Sequence, residues 1–353
     1  MRRAVAWGAA IAALAAAAPA PAQEADAILR DVRFASGERL DSVRLHYRTL
    51  GRLRRDGTGT ATNAVLILHG TGGSHQQFLG AGFAGVLFGP GQPLDTARFF
   101  VVLPDNVGHG ASSKPSDGLR ARFPRYAYGD MVALQERLLR EALGVTRLRL
   151  VLGTSMGCMH AWTWLVTRPD AVEAAMPLAC QPAPITGRNR MVRRMAMDAI
   201  LLDPAYRGGE YAVQPPGLRH ALDLLFLMGS APLVQQRQAP TRDQADSAIH
   251  AWLGARLRTS DANDFVYHFD SSRDYDPWPA LERVQARVTF VNSADDFLNP
   301  PEIGTAREGC ARVPTCRFVL LPAGPETRGH GTHTLAALWQ DELRRLLATL
   351  PSR

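Results

Sequence analysis

The sequence lacks the patterns that mark several classes of protein. After residue 22 no apolar run is long enough to span a bilayer, and no basic stripe or RNA-binding signature is present. We therefore expect neither stable membrane insertion of the mature chain nor a nucleic-acid partner. H-E-x-x-H, paired C-x-x-C and clustered histidine and carboxylate spacings are also absent, so no metal site is expected.

The glycine-rich segments give no support for a nucleotide cofactor. Residues 80–85 read G-x-G-x-x-G, but no convincing strand precedes them and no dinucleotide-binding unit accompanies them. We therefore predict that the protein works without a cofactor.

The chain has 353 residues, of which 46% are hydrophobic and 21% charged, enough for one large core with an inserted segment. Its amino terminus combines two arginines, an alanine-rich apolar run and an A-P-A cleavage-type sequence. This pattern predicts a signal peptide over residues 1–22 that is removed on export, and thus a periplasmic or secreted protein. A transmembrane anchor is the alternative, but the run is short and Pro19 and Pro21 interrupt it.

Four cysteines in an oxidising compartment permit two disulfides. Cys310 and Cys316 are close in sequence and are the expected pair. Cys158 and Cys180 lie in apolar segments, where they are expected to be small buried residues.

Apolar runs and helical periodicities alternate along the mature chain, which is typical of a mostly parallel sheet covered by helices. Residues 28–50 predict two leading strands that we expect to pair antiparallel. Apolar side chains from Met131 to Ala142 recur at helical spacing, and Gly144 follows as a stop signal. Continuous apolar runs predict five buried strands: Ala64–Leu68, Phe99–Leu103, Leu148–Leu152, Val288–Val291 and Phe318–Leu321.

From residue 181 to residue 286 the pattern changes to helices without clear strands, rich in methionine and arginine. Thr241 and Gln244 fit a capping box that begins one helix, which we expect to continue to about Leu257. We interpret residues 181–286 as a helical lid inserted into a core formed by residues 23–180 and 287–353.

Residues 153–157 form a G-x-S-x-G motif between a predicted strand and a predicted helix. This is the context of a nucleophile elbow, in which flanking glycines permit the tight turn and the hydroxyl is raised to the carboxyl end of the sheet. Ser155 is therefore the predicted nucleophile. An ordinary serine in a glycine-rich turn is the alternative.

A serine hydroxyl needs a base and a group that orients this base, and they follow in the order serine, acid, histidine on such a scaffold. Asp295 and Asp296 follow the fourth predicted buried strand, and either carboxylate could orient an imidazole. His330 is the predicted base. His333 is the alternative base, or a cap of a C-terminal helix beginning near Thr334. Isolated histidines are interpreted as surface or core residues: His46, His160, His220, His250 and His268.

The tetrahedral intermediate of acyl transfer carries an oxyanion that needs at least two fixed N–H donors. The backbone amide of Met156, directly after the nucleophile, is one predicted donor. The HG-type loop at residues 69–73 supplies the other, which we assign to Thr71. A simple glycine-rich turn is the alternative interpretation of this loop.

Further segments complete a family pattern: Tyr47–Gly51, Asn63–Val65, Asp130–Val132, Asp203-Pro204, Gly208–Tyr211 and Asp296–Pro301. With them the sequence resembles the homoserine O-acetyltransferase-like branch of the α/β-hydrolase superfamily over nearly the whole mature chain. The resemblance implies an α/β-hydrolase fold, with a mostly parallel eight-stranded sheet flanked by helices and a helical lid over the active site. It also implies a triad of Ser155, Asp296 and His330, which selects Asp296 over Asp295. A homodimer is left open.

Two segments depart from the family in ways that concern the substrate. Residues 105–112 look like general hydrolases rather than the Gly-Ser-Cys-type segment usual in the homoserine enzymes. In the lid, Met197 occupies the position at which the family has an arginine that binds the amino-acid carboxylate. Arg193 or Arg194 could take over this role after a small shift. Methionine cannot make the bidentate charged contact of an arginine, so this departure argues against homoserine recognition.

Hydrolysis and acyl transfer share an acyl-enzyme and differ in whether water or another alcohol accepts the acyl group. Export favours hydrolysis, because acyl-CoA is a cytoplasmic donor. We therefore expect a secreted esterase-type hydrolase whose partner is a small-molecule acyl ester, amide or lactone. An O-acyltransferase of the homoserine O-acetyltransferase type is the first alternative. The second is a non-catalytic binding protein on the same scaffold, which the filled catalytic positions disfavour.

Overall fold

The computed structural model describes residues 22–351, so the predicted signal peptide lies outside the described residues except for Ala22. One sheet of eight strands forms the centre of the molecule. In chain order the strands are β1 (Gln23–Arg33), β2 (Arg39–Leu50), β3 (Ala64–Leu68), β4 (Phe100–Pro104), β5 (Leu150–Thr154), β6 (Ala174–Leu178), β7 (Arg287–Ser293) and β8 (Cys316–Leu321).

The strands lie in the order β1-β2-β4-β3-β5-β6-β7-β8, and the six strands from β3 to β8 are parallel. Every residue of β3, β4, β5 and β6 is buried, as expected for strands that helices cover on both faces. The two leading strands form an antiparallel hairpin, as predicted, and β2 joins it antiparallel to β4. The predicted mostly parallel sheet is confirmed.

Strand β6 is the one the sequence did not predict. Its five residues Ala174–Leu178 are alanine-rich and include Pro177, which has no N–H for a ladder and is rare in a central strand. Pro177 nevertheless lies opposite Gly153 of β5 in the middle of the sheet. Burial between two layers of helices, rather than strand propensity, places this segment in the sheet.

Helices cover both faces of the sheet and fill the segment between β6 and β7. The helices are α1 (Ala84–Leu87), α2 (Tyr128–Arg137), α3 (Met156–Thr167), α4 (Gly187–Leu201), α5 (Gly217–Gly229), α6 (Pro232–Gln238), α7 (Arg242–Leu257), α8 (Ala262–Asp270), α9 (Thr305–Ala311) and α10 (Gln340–Ala348). After α2 the chain makes a π-helical turn over Leu138–Ala142, and Gly144 follows with a φ of 62°. The predicted stop signal at Gly144 is therefore confirmed.

Between β6 and β7, the described chain forms helices and turns only, with α4 to α8 as its main elements. These helices share a hydrophobic cluster of their own that includes Ala196, Met197, Leu222 and Phe269. The predicted capping box starts α7, where the hydroxyl of Thr241 accepts a hydrogen bond from the amide of Gln244 at 3.3 Å. Within residues 22–351, no helix has the length and apolarity needed to cross a membrane.

Two disulfides are formed. The predicted pair Cys310–Cys316 is confirmed. Cys158 is also bonded to Cys180, so the interpretation of these two residues as unpaired buried cysteines is wrong. Cys158 lies on α3 and Cys180 lies just beyond β6, and the unpredicted strand β6 is what brings them together. The bond ties the helix that follows Ser155 to the neighbouring strand.

Candidate active site

Ser155 lies at the turn between β5 and α3. Its φ of 54° and ψ of −112° are unusual for a residue with a side chain and characterise a sharp strand-to-helix turn. A Cβ added to Gly153 would lie 1.9 Å from the carbonyl oxygen of Gly157, and one added to Gly157 would lie 2.0 Å from the carbonyl oxygen of Leu68. The close approach of α3 to the sheet therefore requires both glycines of the motif.

The predicted base and acid meet the hydroxyl of Ser155. The Nε2 atom of His330 lies 2.8 Å from the Oγ atom of Ser155, and its Nδ1 atom lies 2.8 Å from the Oδ2 atom of Asp296. When Nδ1 donates its proton to Asp296, Nε2 has a free lone pair that can accept the proton of the serine. The three side chains follow β5, β7 and β8, so the parallel sheet brings them together at its carboxyl edge.

Asp296 is fully buried and tightly hydrogen-bonded. Its Oδ1 atom accepts hydrogen bonds from the amides of Leu298 at 2.8 Å and Asn299 at 3.3 Å, and its Oδ2 atom also accepts from the Asn299 side chain at 2.9 Å. Burial acts to raise the pKa of Asp296, but the charge of His330 and these hydrogen bonds together hold it below its usual value. The carboxylate is thus ionised at neutral pH and able to orient the imidazole.

The neighbouring Asp295 holds the backbone that carries His330. Its Oδ2 atom accepts a hydrogen bond from the hydroxyl of Thr327 at 2.8 Å and from the amide of Gly329 at 2.9 Å. Sequence reasoning treated Asp295 only as a competitor of Asp296. The two adjacent carboxylates have different tasks because one contacts the ring and the other contacts the loop.

His333 is not in the position of the base. Its ring centre lies 5.2 Å from that of His330, and its carbonyl oxygen accepts a hydrogen bond from the indole of Trp339 at 3.2 Å. Burial, together with the nearby charge of His330, lowers the pKa of His333 to about 3, so this ring is neutral at physiological pH. The C-terminal helix begins at Gln340 rather than near Thr334, so the expectation that His333 could cap it is wrong.

The HG-type loop lies against the nucleophile. A Cβ added to Gly70 would lie 3.4 Å from the Cβ atom of Ser155, so a side chain at this position of the loop would contact the nucleophile. Met156 is the first residue of α3, where backbone N–H groups lack intrahelical acceptors. The segments that carry both predicted donors, Thr71 and Met156, therefore adjoin Ser155, and their role in binding an oxyanion stays a prediction.

Gln77, which sequence reasoning did not single out, fixes this loop. Its side-chain oxygen accepts a hydrogen bond from the amide of Gly70 at 3.2 Å, and its side-chain nitrogen donates to the hydroxyl of Thr154 at 2.9 Å. One amide group thus links the loop to the residue before Ser155. No local pattern marks Gln77, because its partner Thr154 is 77 residues away in sequence.

A cavity of about 460 Å³ is lined by Ser155 and His330 and by Arg193 of α4. Arg193 is 4% exposed, its Nε atom donates to the side chain of Asn189 at 2.9 Å, and its guanidinium carbon lies 5.2 Å from the ring centre of Phe269. Its Nη1 atom is buried without a hydrogen-bond partner among the described residues. Because buried polar groups are nearly always paired, this guanidinium is suited to bind an anionic group in the cavity.

Two further buried polar atoms near Arg193 make no hydrogen bond of normal geometry with the described residues, the hydroxyl of Tyr128 and the Oγ1 atom of Thr71. Burial raises the pKa of Tyr128, while the charge of Arg193 and the proximity of Thr71 and Arg193 to its hydroxyl oppose that rise. Tyr128 therefore stays neutral and able to donate. Arg193, Tyr128 and Thr71 of the HG-type loop thus form one polar group, in which the hydroxyl of Tyr128 lies close to the other two side chains.

The other two predicted substrate-binding residues do not reach this cavity. Arg194 is exposed, and its guanidinium pairs with Asp198 at 2.6 Å. Met197 is buried in the hydrophobic cluster of the lid. Arg193 and Met197 lie one helical turn apart on the inward face of α4, and of the three predicted residues only Arg193 lines the cavity.

A larger cavity of about 880 Å³ lies between the oxyanion loop and the lid helices α5, α7 and α8. Thr71 and Phe269 line it, and the guanidinium of Arg193 packs on the Phe269 ring. The polar group around Arg193 therefore adjoins both cavities. Ser155 and His330 line only the smaller cavity.

Comparison with known proteins identifies the family. The sequence matches the family model described as alpha/beta hydrolase fold over residues 63–212. A homoserine O-succinyltransferase of Magnetococcus marinus is 31% identical over 296 residues, which are 73% of this chain and 74% of the relative. The chain belongs to the homoserine O-acetyltransferase-like branch of the α/β-hydrolase superfamily.

Further relatives of this chain include both transferases and esterases. A probable esterase of Corynebacterium glutamicum is 29% identical, covering 72% of this chain and 76% of the relative. The crystal structure of homoserine O-acetyltransferase from Bacillus anthracis matches with a TM-score of 0.80 at 23% identity, over 92% of this chain and 97% of that chain, which shows the shared fold. The predicted fold and family are confirmed, and the protein is an α/β-hydrolase-fold enzyme.

Proposed function

We propose that this enzyme is an O-acyltransferase that forms an acyl-enzyme on Ser155 and passes the acyl group to a hydroxyl compound carrying a carboxylate. The observation that carries the proposal is the buried, incompletely paired guanidinium of Arg193 in the cavity that holds Ser155 and His330. Relatives named homoserine O-succinyltransferase and homoserine O-acetyltransferase support acyl transfer over the secreted esterase that the sequence alone favoured.

The first half of the reaction acylates the serine. The Oγ atom of Ser155 attacks the carbonyl carbon of an acyl thioester while Nε2 of His330 takes its proton. The amides of Thr71 and Met156 donate to the oxyanion of the tetrahedral intermediate. When this intermediate collapses, the C–S bond breaks, the sulfur takes the proton from His330, and the acyl group remains on Ser155.

The second half repeats these steps with a new nucleophile. The acceptor hydroxyl loses its proton to Nε2 of His330 and attacks the acyl carbon, and Ser155 leaves with that proton. Asp296 stays ionised throughout and stabilises the transient imidazolium. Arg193 holds the carboxylate of the acceptor and thereby places its hydroxyl. The acceptor is thus a small hydroxy acid, of which homoserine is one member.

Hydrolysis is the second candidate, with water in place of the hydroxy acid. Two disulfides favour it, because such bonds persist in oxidising compartments where acyl-CoA is not supplied. They agree with the signal peptide expected over residues 1–22, and on both grounds we propose the periplasm or the outside of the cell as the place of work of such a hydrolase, whereas the transferase needs a compartment that supplies acyl-CoA. The substrate of the hydrolase is then a small or medium acyl ester.

One experiment separates the two candidates. The purified enzyme is incubated with acetyl-CoA or succinyl-CoA and a panel of hydroxy acids that includes homoserine, and with p-nitrophenyl acetate in a separate series. Release of CoA that depends on the hydroxy acid, with the O-acyl product seen by mass spectrometry, supports transfer. Rapid ester hydrolysis without acceptor-dependent release selects hydrolysis. If the wild type shows no more of either activity than the Ser155→Ala variant does, both candidates are contradicted.

A further inference from the structure

Three potential metal ligands from distant parts of the sequence meet at one edge of the sheet. Glu24 begins β1, His46 lies on β2, and His75 follows the oxyanion loop. One ligand atom from each side chain lies within 4.8 Å of the other two. The Nε2 atom of His75 and the Oε1 atom of Glu24 are already 3.4 Å apart, the separation that two ligands of one tetrahedral metal ion have.

Each of the two histidines is oriented by its own aspartate. The Nδ1 atom of His46 lies 2.8 Å from the Oδ1 atom of Asp26, and the Nδ1 atom of His75 lies 2.9 Å from the Oδ1 atom of Asp105. A carboxylate on one ring nitrogen fixes the tautomer, so that the other nitrogen presents its lone pair. This is the outer arrangement that metal-binding histidines usually have.

We propose that Glu24, His46 and His75 bind one Zn²⁺ ion, through a carboxylate oxygen and the two Nε2 atoms. Two imidazoles and one carboxylate are ligands that zinc takes readily, and the fourth position is left to water. None of the three lines the cavity that holds Ser155 and His330 among the described residues, so the site is independent of the proposed acyl chemistry.

The surrounding contacts permit the ion to enter. The Nε2 atom of His75 is 2.8 Å from the side-chain nitrogen of Gln76, which is exposed and can rotate away. The Oε1 atom of Glu24, the oxygen that faces His75, also pairs with Arg48 at 2.7 Å, so a bound ion requires the carboxylate to rotate and give one oxygen to Arg48 and the other to the metal. The three ligand atoms lie within 4.8 Å of one another, and because Glu24 is exposed its side chain can move the ångström or so that closes them onto zinc.

The proposed zinc site would cross-link two parts of the fold. It joins the first strand of the described chain to the segment that directly follows the oxyanion loop, and His75 shares Asp105 with its own backbone amide at 2.7 Å. A bound ion would therefore fix the N-terminal hairpin and the loop with one cross-link. Sequence reasoning predicted no metal site and interpreted His46 as isolated, because the three ligands are 22 and 29 residues apart and match no local spacing.

The test uses the whole enzyme, purified without a histidine tag and treated with a chelator. Zinc binding is measured by equilibrium dialysis with metal analysis, and Co²⁺ is added as a spectroscopic probe of low-coordinate nitrogen and oxygen ligation. We expect one Zn²⁺ per chain, a rise in melting temperature with zinc, and a visible absorption band with Co²⁺. His46→Gln and Glu24→Gln should each weaken binding at least about 100-fold, and Asp26→Asn about tenfold.

The matched control is His220→Gln, which removes an exposed histidine from the lid and should bind zinc as the wild type does. Circular dichroism of each metal-free variant confirms that it is folded, and Glu24→Gln changes only an exposed side chain. The proposal is overturned if the wild type shows no saturable one-to-one zinc binding, or if His46→Gln and Glu24→Gln bind zinc with unchanged affinity.

Discussion

The carboxylate of Asp295 accepts a hydrogen bond from the amide of Gly329 at 2.9 Å, one residue before the histidine that contacts Ser155. Asp296 contacts the ring of that histidine, so the two adjacent aspartates hold its backbone and its side chain separately.

This division of tasks predicts different losses for the two amide substitutions. Asp296→Asn should lower kcat about 10⁴-fold, since the imidazole loses the group that fixes its tautomer. Asp295→Asn should lower kcat only about 10- to 100-fold, the cost of weakened hydrogen bonds to a charged group, with KM little changed. Steady-state kinetics of both variants on one ester measure this. An equal loss in both would contradict a purely positioning role for Asp295.

Arg193 is expected to act on charged acceptors only. Arg193→Met should raise the KM for hydroxy acids about 10- to 100-fold, the value of a lost charge-assisted contact, and leave turnover of neutral p-nitrophenyl acetate nearly unchanged. Arg194→Met is the matched control, because that side chain is exposed and pairs with Asp198. Similar KM values for Arg193→Met and the wild type would show that the carboxylate is bound elsewhere.

The glycines of the elbow are expected to tolerate no side chain. In Gly157→Ala the new methyl would lie 2.0 Å from the carbonyl oxygen of Leu68, so helix α3 must move away from the sheet. We expect a loss of about 3 kcal/mol in the free energy of unfolding, measured by chemical denaturation. Gly80→Ala adds a methyl to open space and should be near neutral. A fully stable Gly157→Ala would mean that the elbow is looser than described.

Buried histidines should make the enzyme less stable in acid. Burial lowers the pKa of both His160 and His333 to about 3, whereas an unfolded chain has a histidine pKa of about 6.5. Between these values the unfolded chain binds more protons than the folded chain. The free energy of unfolding therefore decreases as the pH is lowered, by about 1.4 kcal/mol per pH unit for each histidine. Asp296, whose pKa is lowered, adds a further loss at lower pH, below its unfolded value.

The measurement is the free energy of unfolding of the wild type and of His160→Gln at several pH values between 4 and 6. The variant should lose one histidine's share of the slope, about 1.4 kcal/mol per pH unit. His220→Gln, which removes an exposed side chain on α5, serves as the comparison. An unchanged slope in His160→Gln would show that His160 is protonated in the folded enzyme.

The sequence predicted the parts of the fold and site that depend on local pattern. The apolar runs on either side of the motif around Ser155 predict a strand and a helix, and its two glycines permit the tight turn between them. The antiparallel leading strands and the capping box of α7 were also predicted. Each of these features is determined by residues close to one another in sequence, whereas the choice of Asp296 and His330 as acid and base depended on the resemblance to the family and on the order that it implies.

What the sequence did not predict depends on contacts between distant residues. Strand β6 is held in the sheet by burial rather than propensity, and the Cys158–Cys180 bond follows from its position. The link from Gln77 to Thr154 has no local signal at all. On α4, helical periodicity alone could not tell which of Arg193, Arg194 and Met197 faces the cavity, because the rotation of the helix is set by the lid's own core.

Covalent labelling of Ser155 measures whether His330 activates this serine. The enzyme is treated with a fluorophosphonate probe, and the modified residue is located by mass spectrometry in the wild type, Ser155→Ala and His330→Ala. We expect stoichiometric modification of Ser155 in the wild type, none at that position in Ser155→Ala, and strongly slowed labelling in His330→Ala. An unlabelled wild type, or equal labelling rates in the wild type and His330→Ala, would contradict a serine activated by this histidine.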